Sequence, residues 1–329
     1  MSMHSEPPAS SAQPVGPAGV TINLHPTAPY RFDLICDLIS RQPHPVSDVV
    51  EFDHAETVQH GQPRYLRALR LSGGVSLWQV TAQDDALQAV CLAGDVFDLD
   101  EAGAVLGWIC NIDTDTAPFF EYAQTQPALW NVIASLRGLR WLRTPTVFES
   151  LISLVIEQHI SWVSAQRCQQ ALVAQLGDSI DYDGRRFYLY PTVTRLASAT
   201  VEDLAEVKVT HKRKALLIDL AQQIAGGLDV ESWRSLPHDE FYTRLLALKG
   251  IGPWTAANVV TRATGAMRFV PSGDVALQAA ANRYFNGVTG KLTPAETEAV
   301  FAQFTPYAGE AAHYTFARWV LDHYPRRDV

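Results

Sequence analysis

The stretch Leu245 to Ala281, LLALKGIGPWTAANVVTRATGAMRFVPSGDVALQAAA, leaves a chain few ways to fold. An apolar helical run, Phe241 to Leu248, is cut by Gly250-Ile251-Gly252, and Pro253 then opens a second helix expected to reach about Thr264. Proline suits a first helical turn because it has no N–H to leave unbonded there. Two glycines around one aliphatic residue let the backbone approach another surface with no side chain in between. The amides of Gly250, Gly252 and the next helical turn then point outward from a helix N-terminus, an anion site suited to phosphate. Ile251 is expected to fold back as the apolar plug between the two helices.

Farther on, Pro271-Ser272-Gly273-Asp274 leads into Val275, Ala276, Leu277, Ala280 and Ala281. Asp274 stands where a helix N-cap or first-turn carboxylate stands. Alone, it reads as an ordinary cap, and the glycine turn alone as an ordinary helix connection. At this spacing the two together are much more specific.

Composition limits what such a turn can serve. The chain has 329 residues, enough for two or three domains with cores, and is 47% apolar and 19% charged, as globular proteins are. A net charge of −9 argues against a protein that coats nucleic acid, so a DNA-binding face must be a local patch of helix ends and a few Lys and Arg. No apolar run is long enough to span a bilayer, and MSMHSEPPASSAQPVGPAGV reads as a disordered tail, not a secretory signal. Cys36, Cys91, Cys110 and Cys168 form no CxxC pair, which excludes a zinc ribbon or disulfide framework and fits a reducing, intracellular compartment.

Along the chain, Tyr30 to Ile39 is a short helix or strand, and Val49–Phe52, Tyr65–Leu71 and Val75–Val80 read as strands, with turns at His60-Gly61-Gln62-Pro63 and Ser72-Gly73-Gly74. Arg64, Arg67 and Arg70 read as solvated strand edges. Ala86 to Asp98 continues the sheet or turns helical, and Leu99–Ile109 and the run from Phe119 through Trp130 to Leu136 are helical. Thr144 is expected to cap an apolar helix from Pro145 to His159, and Ser161 to open a second, Trp162 to Leu176. Asp181–Leu189 reads as a small hairpin, and Thr200 to Asp203 as a capping box. Lys208 to Ala215 is the densest positive cluster, a solvated helix start or a contact surface. Helices follow at Trp233–Leu248, Val275–Tyr284, Pro294–Phe304 and Gly309–His323, the last with an aromatic face that reads as core. The expected class is α+β: a disordered tail over 1–20, an N-terminal domain with a small antiparallel sheet over 21–140, and a helical region over 141–329.

The segments Leu248-Lys249-Gly250-Ile251-Gly252-Pro253-Trp254-Thr255-Ala256 and Pro271-Ser272-Gly273-Asp274 resemble the helix–hairpin–helix DNA glycosylase superfamily, in its 3-methyladenine DNA glycosylase II branch. The resemblance is strongest from 141 to 285. It implies hydrolysis of the N-glycosidic bond of alkylated bases in double-stranded DNA after base flipping, by a monomer, with Asp274 as the ionised catalytic carboxylate. It places Trp254, Trp162 and Tyr307 at the base pocket, His159 as the side chain wedged into the DNA stack, and Gly250, Gly252, Thr255, Lys249, Lys212 and Arg213 on the DNA backbone. Read on its own, His159 is a surface turn histidine. The carbonyls of Leu246, Leu248 and Ile251 are implied to hold a monovalent cation. No cysteine follows Cys168, so no iron–sulfur cluster of the endonuclease III type is expected, nor any other cofactor. Lyase-competent relatives carry a lysine where this chain has Trp254, so no strand cleavage is expected. The alternatives are an 8-oxoguanine-type or broad-range glycosylase and a hairpin module that only holds DNA.

Overall fold

The computed structural model describes residues 19–41, 46–52, 62–94 and 98–326. The tail up to residue 18, Pro43 with Pro45, and His60-Gly61 lie outside them. The first half contains β1 (Thr21–Leu24), α1 (Phe32–Ser40), β2 (Asp48–Phe52), β3 (Pro63–Leu71), β4 (Gly74–Gln83), β5 (Ala86–Gly94), α2 (Leu99–Ile109), α3 (Ala117–Gln124) and α4 (Pro127–Ile133). The second contains α5 (Val147–Glu157), α6 (Trp162–Leu176), β6 (Ser179–Tyr182), β7 (Arg185–Tyr188), α7 (Val193–Ala197), α8 (His211–Ala225), α9 (His238–Leu246), α10 (Pro253–Thr264), α11 (Val275–Phe285), α12 (Pro294–Ala302) and α13 (Ala308–His323). This is the expected α+β class.

β1 to β5 form one antiparallel sheet in the order β1-β5-β4-β3-β2. β1 went unread in the sequence because its four residues are too few to show alternation. The period of two along β3 assigns its side chains to two faces. Tyr65, Leu69 and Leu71 face a core shared with α1 and α2, whereas Leu66 and Ala68 face Phe187 and Leu189 beside β7. The 179–188 hairpin, although embedded in the helical half of the sequence, therefore covers the far side of the N-terminal sheet.

Arg67, also on the inner face of β3, is 3% exposed rather than a solvated edge. It donates to Glu149 of α5 at 2.6 Å, to Asp48 at 2.6 Å and to Ser47 at 2.7 Å. Arg64 and Arg70 pair with Glu51 and Asp178.

Two apolar cores fill the helical part. One is built by α5, α6, α8, α9 and α10, with Ile251 plugged into it as expected. The other joins Phe119, Phe120, Leu129 and Ile133 of α3 and α4 to Leu277, Phe301, Ala311 and Tyr314 of the C-terminal helices. The expected boundary at 140/141 thus crosses one shared core. Among the described residues no helix is long and apolar enough to cross a membrane.

Two helix starts correct the sequence reading. Thr146, not Thr144, caps α5, its hydroxyl accepting the Glu149 amide at 3.0 Å. The Glu231 carboxylate takes the Val147 and Phe148 amides at 2.9 and 3.0 Å. An acid at a helix N-terminus opposes its partial positive charge, so this distant partner decides between two threonines that look equivalent locally. The helix expected from Trp233 to Leu248 is broken by Pro237, which caps α9 after a short 3-10 turn over Glu231–Ser235.

Candidate active site

α9, the glycine turn and α10 form the expected hairpin, with α10 ending at Gly265 in the left-handed region (φ +79°). Its two glycines have different reasons. Gly250 has φ +83°, and a Cβ there would lie 2.6 Å from Leu216 Cδ2, so the fold itself requires glycine. A Cβ at Gly252, the N-cap of α10, would meet nothing within 4 Å. Packing within this chain therefore does not require glycine at 252.

Asp274 caps α11. Its Oδ1 accepts the amides of Ala276 (2.9 Å) and Leu277 (3.0 Å). Its Oδ2 accepts the Trp254 indole N–H at 3.2 Å. The two carboxylate oxygens are thus divided, one to the helix cap and one to the indole at the cleft. Burial raises the Asp274 carboxyl above its ordinary value of 3.8, against the lowering effect of the Leu277, Trp254 and Ala276 donors.

Asp274 and Trp254 line a cleft of about 1510 Å³ between the two helical cores. Gly250, Gly252, His159 and Trp162 line the same cleft, so the structure brings these expected site residues together. His159 is exposed in the turn between α5 and α6, at φ +56° in the left-handed region. Trp162 meets Tyr324 edge to face, with ring centroids 5.5 Å apart.

Tyr307 is not at the cleft. It packs on Phe119 and Tyr122 at centroid distances of 5.8 and 5.1 Å in the second core. The aromatic helix α13 has two faces, and it is Phe316 and Trp319 that reach the cleft. Thr255 is buried, its hydroxyl accepting from Gln158 Nε2 at 3.1 Å, so its side chain does not face outward. Lys249 is exposed and outside the cleft lining. Lys212 is exposed at the start of α8, Arg213 half-buried with its guanidinium pKa lowered by burial, and Lys214 buried. Leu216, one turn after Lys212, packs beneath Gly250, which sets this basic start beside the hairpin. Leu246 is the last residue of α9, where helical carbonyls lose their donors, and Leu248 and Ile251 follow in the turn. The Leu248 carbonyl accepts the Ile251 amide at 3.2 Å and retains one lone pair.

The sequence missed a set of ties behind the His159 turn. Gln158 Nε2 also donates to the Gly250 carbonyl at 3.0 Å. Glu157 binds Arg262 of α10 through two contacts of 2.7 and 2.8 Å, and Gln169 donates to Glu157 at 3.0 Å. These bonds fix the His159 turn to the hairpin. Their only sequence trace is the adjacency of Glu157 and Gln158 to His159. His313, buried at the cleft wall, donates from Nδ1 to the Gly309 carbonyl and accepts from the Thr261 hydroxyl; burial lowers it to about 4, so the ring is neutral.

Residues 152–306, a little under half of the chain, match the family model described as HhH-GPD superfamily base excision DNA repair protein. The DNA-3-methyladenine glycosylase of Bacillus subtilis (strain 168) is 33% identical over 168 residues, 51% of this chain and 55% of that one. The chain spans about half the length of the relatives it matches. Among solved structures, the 3-methyladenine DNA glycosylase from Archaeoglobus fulgidus aligns with a TM-score of 0.73 at 21% identity, over 90% of this chain and 97% of that one. The 8-oxoguanine glycosylase/lyase of Clostridium acetobutylicum in complex with double-stranded DNA aligns at 0.68 and 18%, over 92% and 96%. These two likenesses establish the fold.

Proposed function

We propose that this chain is a monofunctional DNA glycosylase that draws an alkylated base of the 3-methyladenine or 7-methylguanine type out of double-stranded DNA and hydrolyses its N-glycosidic bond. The observation that carries the reading is the half-buried Asp274 carboxylate, held by the Trp254 indole N–H at the wall of a large cleft that Gly252 also lines. As the C1′–N bond lengthens, positive charge grows on the sugar and the fixed carboxylate stabilises it. Water then attacks C1′ and passes a proton to Asp274, and the base departs with the electron pair of the broken bond. A cationic methylated base leaves without further protonation and gains attraction from the Trp254 face, about 0.5–2 kcal/mol.

The cleft lining contains no lysine, and Lys249 lies outside it, which supports hydrolysis without Schiff-base chemistry. Gly250, Gly252, the N-terminal amides of α10, Lys212 and the exposed part of Arg213 are read as the phosphate grip. A monovalent cation on the Leu246, Leu248 and Ile251 carbonyls would add positive charge to that grip. The test is incubation with duplex DNA carrying 7-methylguanine: free base without strand breakage is expected, and tight binding with no release leaves only a holding module.

His159 is read as the wedge that props the gap left by the extruded nucleotide. Base–aromatic stacking is worth about 1–3 kcal/mol, so His159→Ala is expected to slow release at low DNA concentration by about 5-fold or more without changing the unfolding temperature. Release at the wild-type rate would return His159 to an ordinary surface turn.

The raised Asp274 carboxyl sets a pH dependence. Only the ionised form stabilises the sugar cation, so single-turnover release should fall on the acid side with a midpoint above the ordinary aspartate value of about 3.9. The sign for stability is opposite. The native state binds this proton more tightly than the unfolded chain, so the contribution to folding is full below the unfolded value and lost as pH rises through the folded one. A midpoint at or below the ordinary value would assign the limb to another group.

A further inference from the structure

A second depression, of about 540 Å³, adjoins the cleft and shares Val275, Ala279 and Trp319 with it. Val275, Ala279 and Arg283 follow one another at four-residue intervals, so they form a stripe along one face of α11 that starts next to Asp274. Trp319 and His323 make the matching stripe on α13, and Lys291 closes the end. Arg283, Lys291 and His323 are exposed. In a chain of net charge −9, neither Arg283 nor Lys291 has a carboxylate partner among the described residues. The nearest acid on α13, Asp322, is taken up by Arg318 and Tyr284. His323 lies flat on Trp319 with centroids 3.6 Å apart, and its Nδ1 donates to the Trp319 carbonyl at 2.9 Å, which leaves Nε2 free to meet a phosphate.

We propose that this groove is a second nucleic-acid subsite, holding backbone phosphates of the DNA strand a few nucleotides from the one turned into the cleft. The placement rests on the proposed function. The eight helical rises from Val275 to Arg283 span about 12 Å, roughly three steps of a strand at about 3.4 Å each. The hairpin amides and this groove then grip the strand on two sides of Asp274, with Trp319 as the wall between base and backbone. An acidic protein can hold DNA in this way without a broad basic surface.

The double variant Arg283→Ala/Lys291→Ala tests it, through affinity for lesion-containing duplex DNA measured as a function of salt. Each lost phosphate contact removes about 0.9 from the slope of log affinity against log salt, so the slope should flatten by about 1–2. Lys291→Glu alone should also weaken binding at low salt. Both side chains are exposed, so unchanged unfolding temperatures are expected and confirm intact folds. A slope equal to that of the wild type overturns the groove and leaves the enzymatic reading standing. Failure of the wild-type chain to bind or act on the duplex overturns both.

Discussion

Asp274→Asn is expected to slow base release by at least about 10²-fold while duplex binding stays within about threefold of the wild type. Loss of a single fixed electrostatic partner of a transition state costs about 10²–10³ in rate, and here the whole negative charge goes. Folding should survive, because asparagine caps helices as well as aspartate does and its oxygen can keep the Ala276 and Leu277 amides. Stability at neutral pH should hold or rise slightly, since burial disfavours the native carboxylate. Capping and chemistry fall on one residue, so a plain Asp274→Ala would confound them; asparagine separates them. Single-turnover kinetics with a 7-methylguanine duplex reads the rate, and a variant retaining a tenth or more of it would place the chemistry elsewhere.

The largest expected effect on stability comes from Arg67→Met. Arg67 joins the sheet to the helical part through Glu149 and Asp48, and the Glu149 side chain is only 11% exposed. Removing one partner of a buried pair costs about 3–5 kcal/mol because the other charge is stranded. The low end is expected, since the Asp48 side chain is 30% exposed and can hydrate. A second change, Glu149→Gln, should recover part of the loss by removing the stranded charge. Chemical denaturation measures both, and a loss below about 0.5 kcal/mol for Arg67→Met would make the pair incidental.

Legibility of the sequence followed the range of the forces involved. The bounds of α10 were readable because Gly250, Pro253 and Gly265 punctuate the backbone locally. Asp274 was readable because cap spacing is local too. Arg67 and Tyr307 were misread for the same reason in reverse. The fate of Arg67 depends on Glu149, and that of Tyr307 on Phe119 and Tyr122, all distant in sequence. An arginine on a strand and a tyrosine before a helix show nothing of what tertiary packing will set against them. The α5 cap went to Thr146 through Glu231, equally remote. The 179–188 hairpin was seen, but which sheet face it would cover was not, since two short polar strands do not name their partner.

The cleft draws its walls from almost the whole described chain, from Ile35 on α1 to Tyr324 just past α13. Its floor and hairpin are complete long before its last wall, which arrives with Phe316, Trp319 and Tyr324. A ribosome releasing this polypeptide therefore completes the glycine hairpin well before the segment that closes the cleft, and a copy clipped ahead of α13 would lack that closing wall.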